Sequence, residues 1–118
     1  QKAANRLTEA ERKAAVKRAA QMLAEKTAHF AKEMGVTYGR ITIREQKTRW
    51  GSCSSAGNLN YNWKLVLMPE RVMDYVVIHE LAHRKEMNHS ARFYAVVAQQ
   101  MPDYKVWQSW LKEHGREY

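Results

Sequence analysis

Positions 79–89 read His-Glu-Leu-Ala-His-Arg-Lys-Glu-Met-Asn-His. Two histidines four residues apart share a face when the chain is helical, about 6 Å apart along the axis. On such a helix His79 and His83 can reach one ion at the ~2.0–2.1 Å that Zn–N bonds require. Glu80 lies about 100° round the helix from His79. It is poorly placed as a ligand but well placed to reach a water on the ion. Metal-assisted hydrolysis needs that pairing, an ion that acidifies water and a carboxylate that takes the proton. The run therefore demands a helix with an apolar side, and the preceding sequence supplies one. Pro69-Glu70 suits a helix start, and Val72, Met73, Val76, Val77 and Leu81 give the apolar face. The motif is expected mid-helix.

A third ligand has several candidates. His89 is six residues past His83, far enough for an ended helix to double back, and Ser90 can cap the next helix. Glu86 is on the same helical face as the first two histidines, and a continuing helix would carry it away along the axis. His29, His114 and Glu113 lie elsewhere in the chain and depend on the fold to deliver them.

The text around the motif resembles the YgjP-like zinc metallopeptidases, relatives of the SprT and WLM groups. The matching pieces are Arg49-Trp50-Gly51-Ser52-Cys53-Ser54, Asn60-Tyr61-Asn62-Trp63, His79-Glu80-Leu81-Ala82-His83 and Asn88-His89-Ser90. The spacing of the three histidines is also that of metzincins. Where metzincins carry a turn glycine, this chain has Glu86. Asn88, which tolerates a left-handed conformation, is expected to turn the chain instead, after a somewhat longer helix. The resemblance implies one zinc ion held by His79, His83 and His89, Glu80 as catalytic base, and a protein or peptide substrate. It also places segment 58–62, the last strand before the motif helix, along the cleft as a pairing edge for substrate.

The rest of the chain sets the frame. At 118 residues it is expected to form one domain, 1–118, with a single core. It begins with Gln1 rather than Met, as a fragment or processed product would. No apolar run is long enough to span a membrane. The single Cys53 fits a reducing compartment, and the expectation is a cytoplasmic monomer. A net charge of +8 favours acidic partners, and weak nucleic-acid binding is a further expectation. It rests on the basic side chains of the first helix, among them Arg12, Lys17 and Lys26, and on a second cluster of Arg40, Arg44, Lys47, Arg49 and Trp50. Glu9, Glu11, Glu25 and Glu33 are interspersed in the first group, as on an ordinary solvated face.

In chain order, Thr8-Glu9-Ala10-Glu11 has the form of a capping box. An apolar stripe through Val16, Ala19, Ala20, Leu23, Thr27, Phe30, Ala31 and Met34 follows, and Gly35 stops the helix. Ile41 and Ile43 alternate with polar residues as a strand does. A turn at Gln46-Lys47, a strand over 48–54, a turn through Gly57 and a strand over 59–62 would make an antiparallel meander. Segment 63–68 reads as either strand or short helix. Ser90 can cap a helix over Ala91–Gln100, Pro102 starts another, and Gly115 ends it. Tyr94, Tyr104 and His114 are candidate donors to a developing oxyanion, and Cys53 is a candidate metal approach. The expected fold is α+β: a long N-terminal helix, a small three-stranded antiparallel sheet, the motif helix and a C-terminal helical hairpin. Two rival functions use the same features, a metal-dependent phosphohydrolase acting on nucleotides and a zinc-stabilised nucleic-acid-binding module. Glu80 speaks against the second, because a purely structural site has no use for a carboxylate beside water.

Overall fold

The computed structural model describes residues 2–118. After a short 3-10 turn, helix α1 spans Glu9–Met34. Its start is the expected capping box: Thr8 Oγ1 accepts from Glu11 N at 3.1 Å, and Thr8 N donates to Glu11 Oε1 at 2.8 Å. Its end is Gly35 at φ 70°, a left-handed cap that returns its N–H to Ala31 and Lys32 carbonyls. The buried stripe is Ala15, Ala19, Leu23, Thr27, Ala31 and Met34. Its small residues let α1 come close to the rest of the core.

The sheet consists of β1 (Ile41–Arg44), β2 (Gly51–Cys53) and β3 (Leu59–Asn62). It is α+β as expected, but the sheet is mixed rather than an antiparallel meander. The order is β1-β3-β2, with β3 parallel to β1 and antiparallel to β2. Two features account for this. Leu59 and Tyr61 are fully buried while β1 is only half-buried, so β3 takes the centre. The side-chain amide of Asn62 also donates to the carbonyls of Gln46 and Arg49, at 3.0 and 3.3 Å. These bonds pin residues 45–50 as a connection past the end of β3, so Gln46-Lys47 is not a hairpin turn. The β2–β3 hairpin is closed by Ser54 and Asn58, with Gly57 at φ 88°.

Segment 63–67 is a 3-10 turn, which resolves its ambiguity. Helix α2 (Glu70–Ala82) then runs through the centre of the molecule, buried on nearly every side. Helices α3 (Ala91–Gln100) and α4 (Tyr104–His114) both pack on α2, and Tyr94 of α3 stacks on Tyr104 of α4 at 5.8 Å. Pro102 sits in the turn just ahead of α4, whose first residue is Tyr104. Polar links also fix α1 to this core. Thr27 Oγ1 and Tyr61 OH share a buried hydrogen bond of 2.9 Å. Lys26 Nζ donates to Asp74 and Glu70 of α2, each at 2.7 Å. Burial opposes the charge on Lys26, but those two carboxylates outweigh it and push its pKa up.

Candidate metal centre and active-site cleft

The His-Glu-Leu-Ala-His run lies at the C-terminal end of α2, not in its middle. The helix ends at Ala82, and His83 is its cap at φ −64° and ψ −16°. The chain therefore turns earlier than expected. It does so without a left-handed residue at Asn88, since no described non-glycine residue has positive φ. The turn is built instead from backbone bonds: Arg84 N to Leu81 O, Lys85 N and Glu86 N to Ala82 O, and Ser90 N to Asn88 O. Ser90 Oγ then accepts from Phe93 N at 3.3 Å and starts α3, as its position suggests.

The early turn delivers His89 to the other two histidines. Ring centroids are 5.4 Å apart for His79 and His83, 5.1 Å for His79 and His89, and 4.8 Å for His83 and His89. One ring nitrogen from each lies within 4.8 Å of the others. Fully buried Phe93 packs on all three rings, at 4.9, 4.5 and 4.9 Å. Burial, then the neighbouring His79 and His83, pushes the His89 pKa down, which favours the neutral ring. His83 Nδ1 is buried and has no hydrogen-bond partner. A buried polar nitrogen left so is costly. Converging imidazoles whose ring nitrogens are not fully used by the protein suit a metal cation.

Glu80 is 5% exposed. Its Oε2 is 3.2 Å from His79 Nδ1. The backbone of β2 is also close: a Cβ added at Gly51 would lie 3.1 Å from Glu80 Cγ and 3.2 Å from Oε2. The Gly51 in the strand motif thus leaves room for the carboxylate. The histidines and Glu80 open onto a cleft of ≈ 470 Å³, walled by Arg49, Trp50, β2, Tyr75 and Leu111. Strand β2, not β3, forms the sheet edge at this cleft. The expected pairing edge at 58–62 is central and already bonded on both sides. Trp50 O accepts from Asn62 N and Ser54 N donates to Asn58 O, so by antiparallel alternation Gly51 and Cys53 turn their backbone groups outward.

Other candidates are placed away from the cluster. His29 is exposed and pairs with Glu33 at 3.4 Å. His114 pairs with Glu113 and Glu117, at 3.7 and 2.9 Å. Glu86 is not among the converging groups. Tyr94 lies 6.2 Å from His89, ring to ring, and Tyr104 stacks behind it. Cys53 reaches the cleft wall but not the histidine cluster, and burial, then Glu80, pushes its thiol pKa up. Tyr75 is a cleft residue that sequence reasoning missed. It stands one helical turn before His79, 5.7 Å away ring to ring, and that spacing was the available signal. Of the basic side chains, Arg12 pairs with Glu45 and lies over Trp63, Lys26 is bound to α2, and Arg44 donates to Asn60.

A helix that ends at two histidines, a turn that brings back a third, and a carboxylate under an edge strand together suit a metallopeptidase-type domain. The family model of the YgjP-like metallopeptidase domain matches residues 1–114, so the chain belongs to that family and is a peptidase. Among solved structures it is similar to the metallopeptidase zymogen abylysin of Pyrococcus abyssi, at 23% identity and TM-score 0.68, over 77% of this chain and 93% of that one. It is also similar to the metallopeptidase zymogen jannalysin of Methanocaldococcus jannaschii, at 18% identity and TM-score 0.67, over 77% and 94%. At these identities the likeness is one of fold. Comparison with curated proteins gives no match. No described helix is long and apolar enough to cross a membrane.

Proposed function

We propose that this metallopeptidase domain works with one zinc ion held by His79, His83 and His89, and with Glu80 as its general base. The observation that carries the reading is the convergence of three ring nitrogens within 4.8 Å, beside a buried carboxylate and open to a cleft. Three protein ligands with a free fourth position are the pattern of catalytic zinc, whereas structural sites are closed. Zinc bound there supplies an acidified water and polarises the scissile carbonyl. Glu80 accepts a proton from the attacking water at its carboxylate and returns it to the leaving amine. Gly51 and His79 both approach that carboxylate closely, which limits its rotamers. The pKa of Tyr75, which lines the cleft, is pushed up to about 12, chiefly by burial and against a hydrogen bond with Gln108, so the phenol keeps its proton. An extended peptide pairs along β2, where the outward backbone groups of Gly51 and Cys53 are available. The half-buried thiol of Cys53 suits a reducing, cytoplasmic setting.

The test is Glu80→Gln. Loss of a general base costs about 10²–10⁴-fold in rate. The variant should keep its zinc content by elemental analysis and lose hydrolysis of a peptide library by at least that factor. Hydrolysis at the parental rate would contradict the assignment of Glu80.

A further inference from the structure

The cleft does not end beside the histidines. Trp50 and Leu111, which wall it on one side, also wall a second depression of ≈ 310 Å³. Lys2, Lys47, Lys64, Lys112 and Arg116 line that depression, and no acidic side chain does. Its floor at the junction is firm, because Gly115 packs directly on the Trp50 indole; a Cβ there would lie 3.1 Å from Cζ2. The cations are largely uncompensated. Lys64 has Glu45 at 3.7 Å, but Glu45 is shared with Arg12. Among the described residues, Lys2, Lys47, Lys112 and Arg116 make no ion pair. The nearest carboxylates in sequence, Glu113 and Glu117, turn to His114 instead.

Unpaired cations that converge on one depression raise the local concentration of anions and favour their binding. We propose that this groove selects peptide substrates by acidic side chains on one flank of the scissile bond, where the chain leaves the cleft past Trp50. The proposal rests on the peptidase reading above and names a substrate class for it. An acidic peptide suits the groove better than a nucleic acid does. The depression shares the Trp50 and Leu111 wall with the reactive cleft. Its volume is at the small end of ligand clefts, about 300–1,000 Å³, enough for a few side chains of one extended strand. Aspartate and glutamate there gain from several partners at once. Each exposed pair is weak, so the preference comes from their sum.

The experiment uses zinc-loaded Glu80→Gln protein, which binds without turnover, and fluorescein-labelled peptides sharing an Ala-Leu-Phe-Ala core. One peptide carries three acidic residues before the core, another carries them after it, and a third has neutral amides at both places. Binding is read by anisotropy at low and high salt. One acidic peptide should bind about tenfold more tightly than the neutral one, and the other should not. Added salt should remove the advantage. Lys112→Glu with Arg116→Glu should also remove it, and leave affinity for the neutral peptide unchanged. Lys47→Glu, in the loop on the other wall, reads the same preference independently of α4, and circular dichroism checks each fold. Equal affinities, or an advantage that survives both reversals, would overturn the proposal. So would an oligonucleotide that binds with this charge sensitivity while acidic peptides show no preference. Parallel cleavage assays on the parental protein separate the two readings. Charge-selective binding with no peptide cleaved supports the groove and removes the hydrolytic role, and cleavage without selectivity does the reverse.

Discussion

Gly51 leaves room for the Glu80 carboxylate by having no side chain. An added methyl would meet Glu80 Cγ at 3.1 Å, Oε2 at 3.2 Å and Val76 Cγ1 at 3.0 Å. The side chains of Val76 and Glu80 already occupy that point, so they would have to give by a few tenths of an ångström. Gly51→Ala should therefore retain zinc and lower kcat by about tenfold or more, since small misplacement of a catalytic group costs large factors. Parental kcat in this variant would show that Glu80 is not constrained by β2. His89 poses the ligand question at the same scale. His89→Ala should abolish activity and weaken zinc binding, measured by competition with a chelator, whereas His29→Ala, His114→Ala and Glu86→Ala should leave zinc affinity intact. Loss of zinc in Glu86→Ala with retention in His89→Ala would replace the ligand. His79, Glu80 and His83 are legible because four-residue spacing has one meaning on a helix. The nearness of His89 is less so, because it depends on how soon the helix ends. The chain turns at Ala82 by backbone bonds rather than at a left-handed Asn88, and no residue type in 83–88 announces that.

Among the elements, both caps of α1 and the start of α3 can be read in advance, since Thr8, Gly35 and Ser90 act on their own neighbours. Strand order cannot be read that way. It depends on long-range bonds from Asn62 to a loop more than ten residues earlier, and on how deeply each strand is buried. The order matters for function, because it puts β2 rather than β3 at the cleft edge. Arg84, immediately after the second histidine, braces the corrected arrangement. Its Nε donates to Thr37 O at 2.8 Å and its Nη1 to Ser55 O at 3.3 Å, across the β2–β3 turn. A Cβ at Gly57 would lie 2.6 Å from its guanidinium carbon. Arg84→Ala should lower unfolding free energy by about 1–3 kcal/mol, read from urea midpoints, with a further loss in kcat as the hairpin loosens. Unchanged stability would mean that these bonds are not maintained in solution.

For the whole molecule, acid should unfold the protein through a few identifiable carboxylates. Glu11 is held low by the Thr8 backbone and hydroxyl, Glu45 first by the Trp63 indole, Glu70 by Lys26, and Asp103 first by Trp107. Each folded pKa is below its ordinary value of 4.5 or, for Asp103, 3.8. The stability they contribute is present above those values and is lost as pH falls through the lower folded ones. The melting temperature, with respect to these groups, should be level down to about pH 5 and then drop. A level profile to pH 3 would show that the interactions add nothing. The fold as a whole brings the end of one helix, the start of the next and an edge strand to a single point. That convergence is tested most directly by X-ray absorption at the zinc edge on the loaded protein. Three imidazole nitrogens and one further light atom at about 2.0–2.1 Å, with no sulfur, are the predicted shell. A sulfur at about 2.3 Å, which would bring in Cys53, or only two imidazoles, would contradict it.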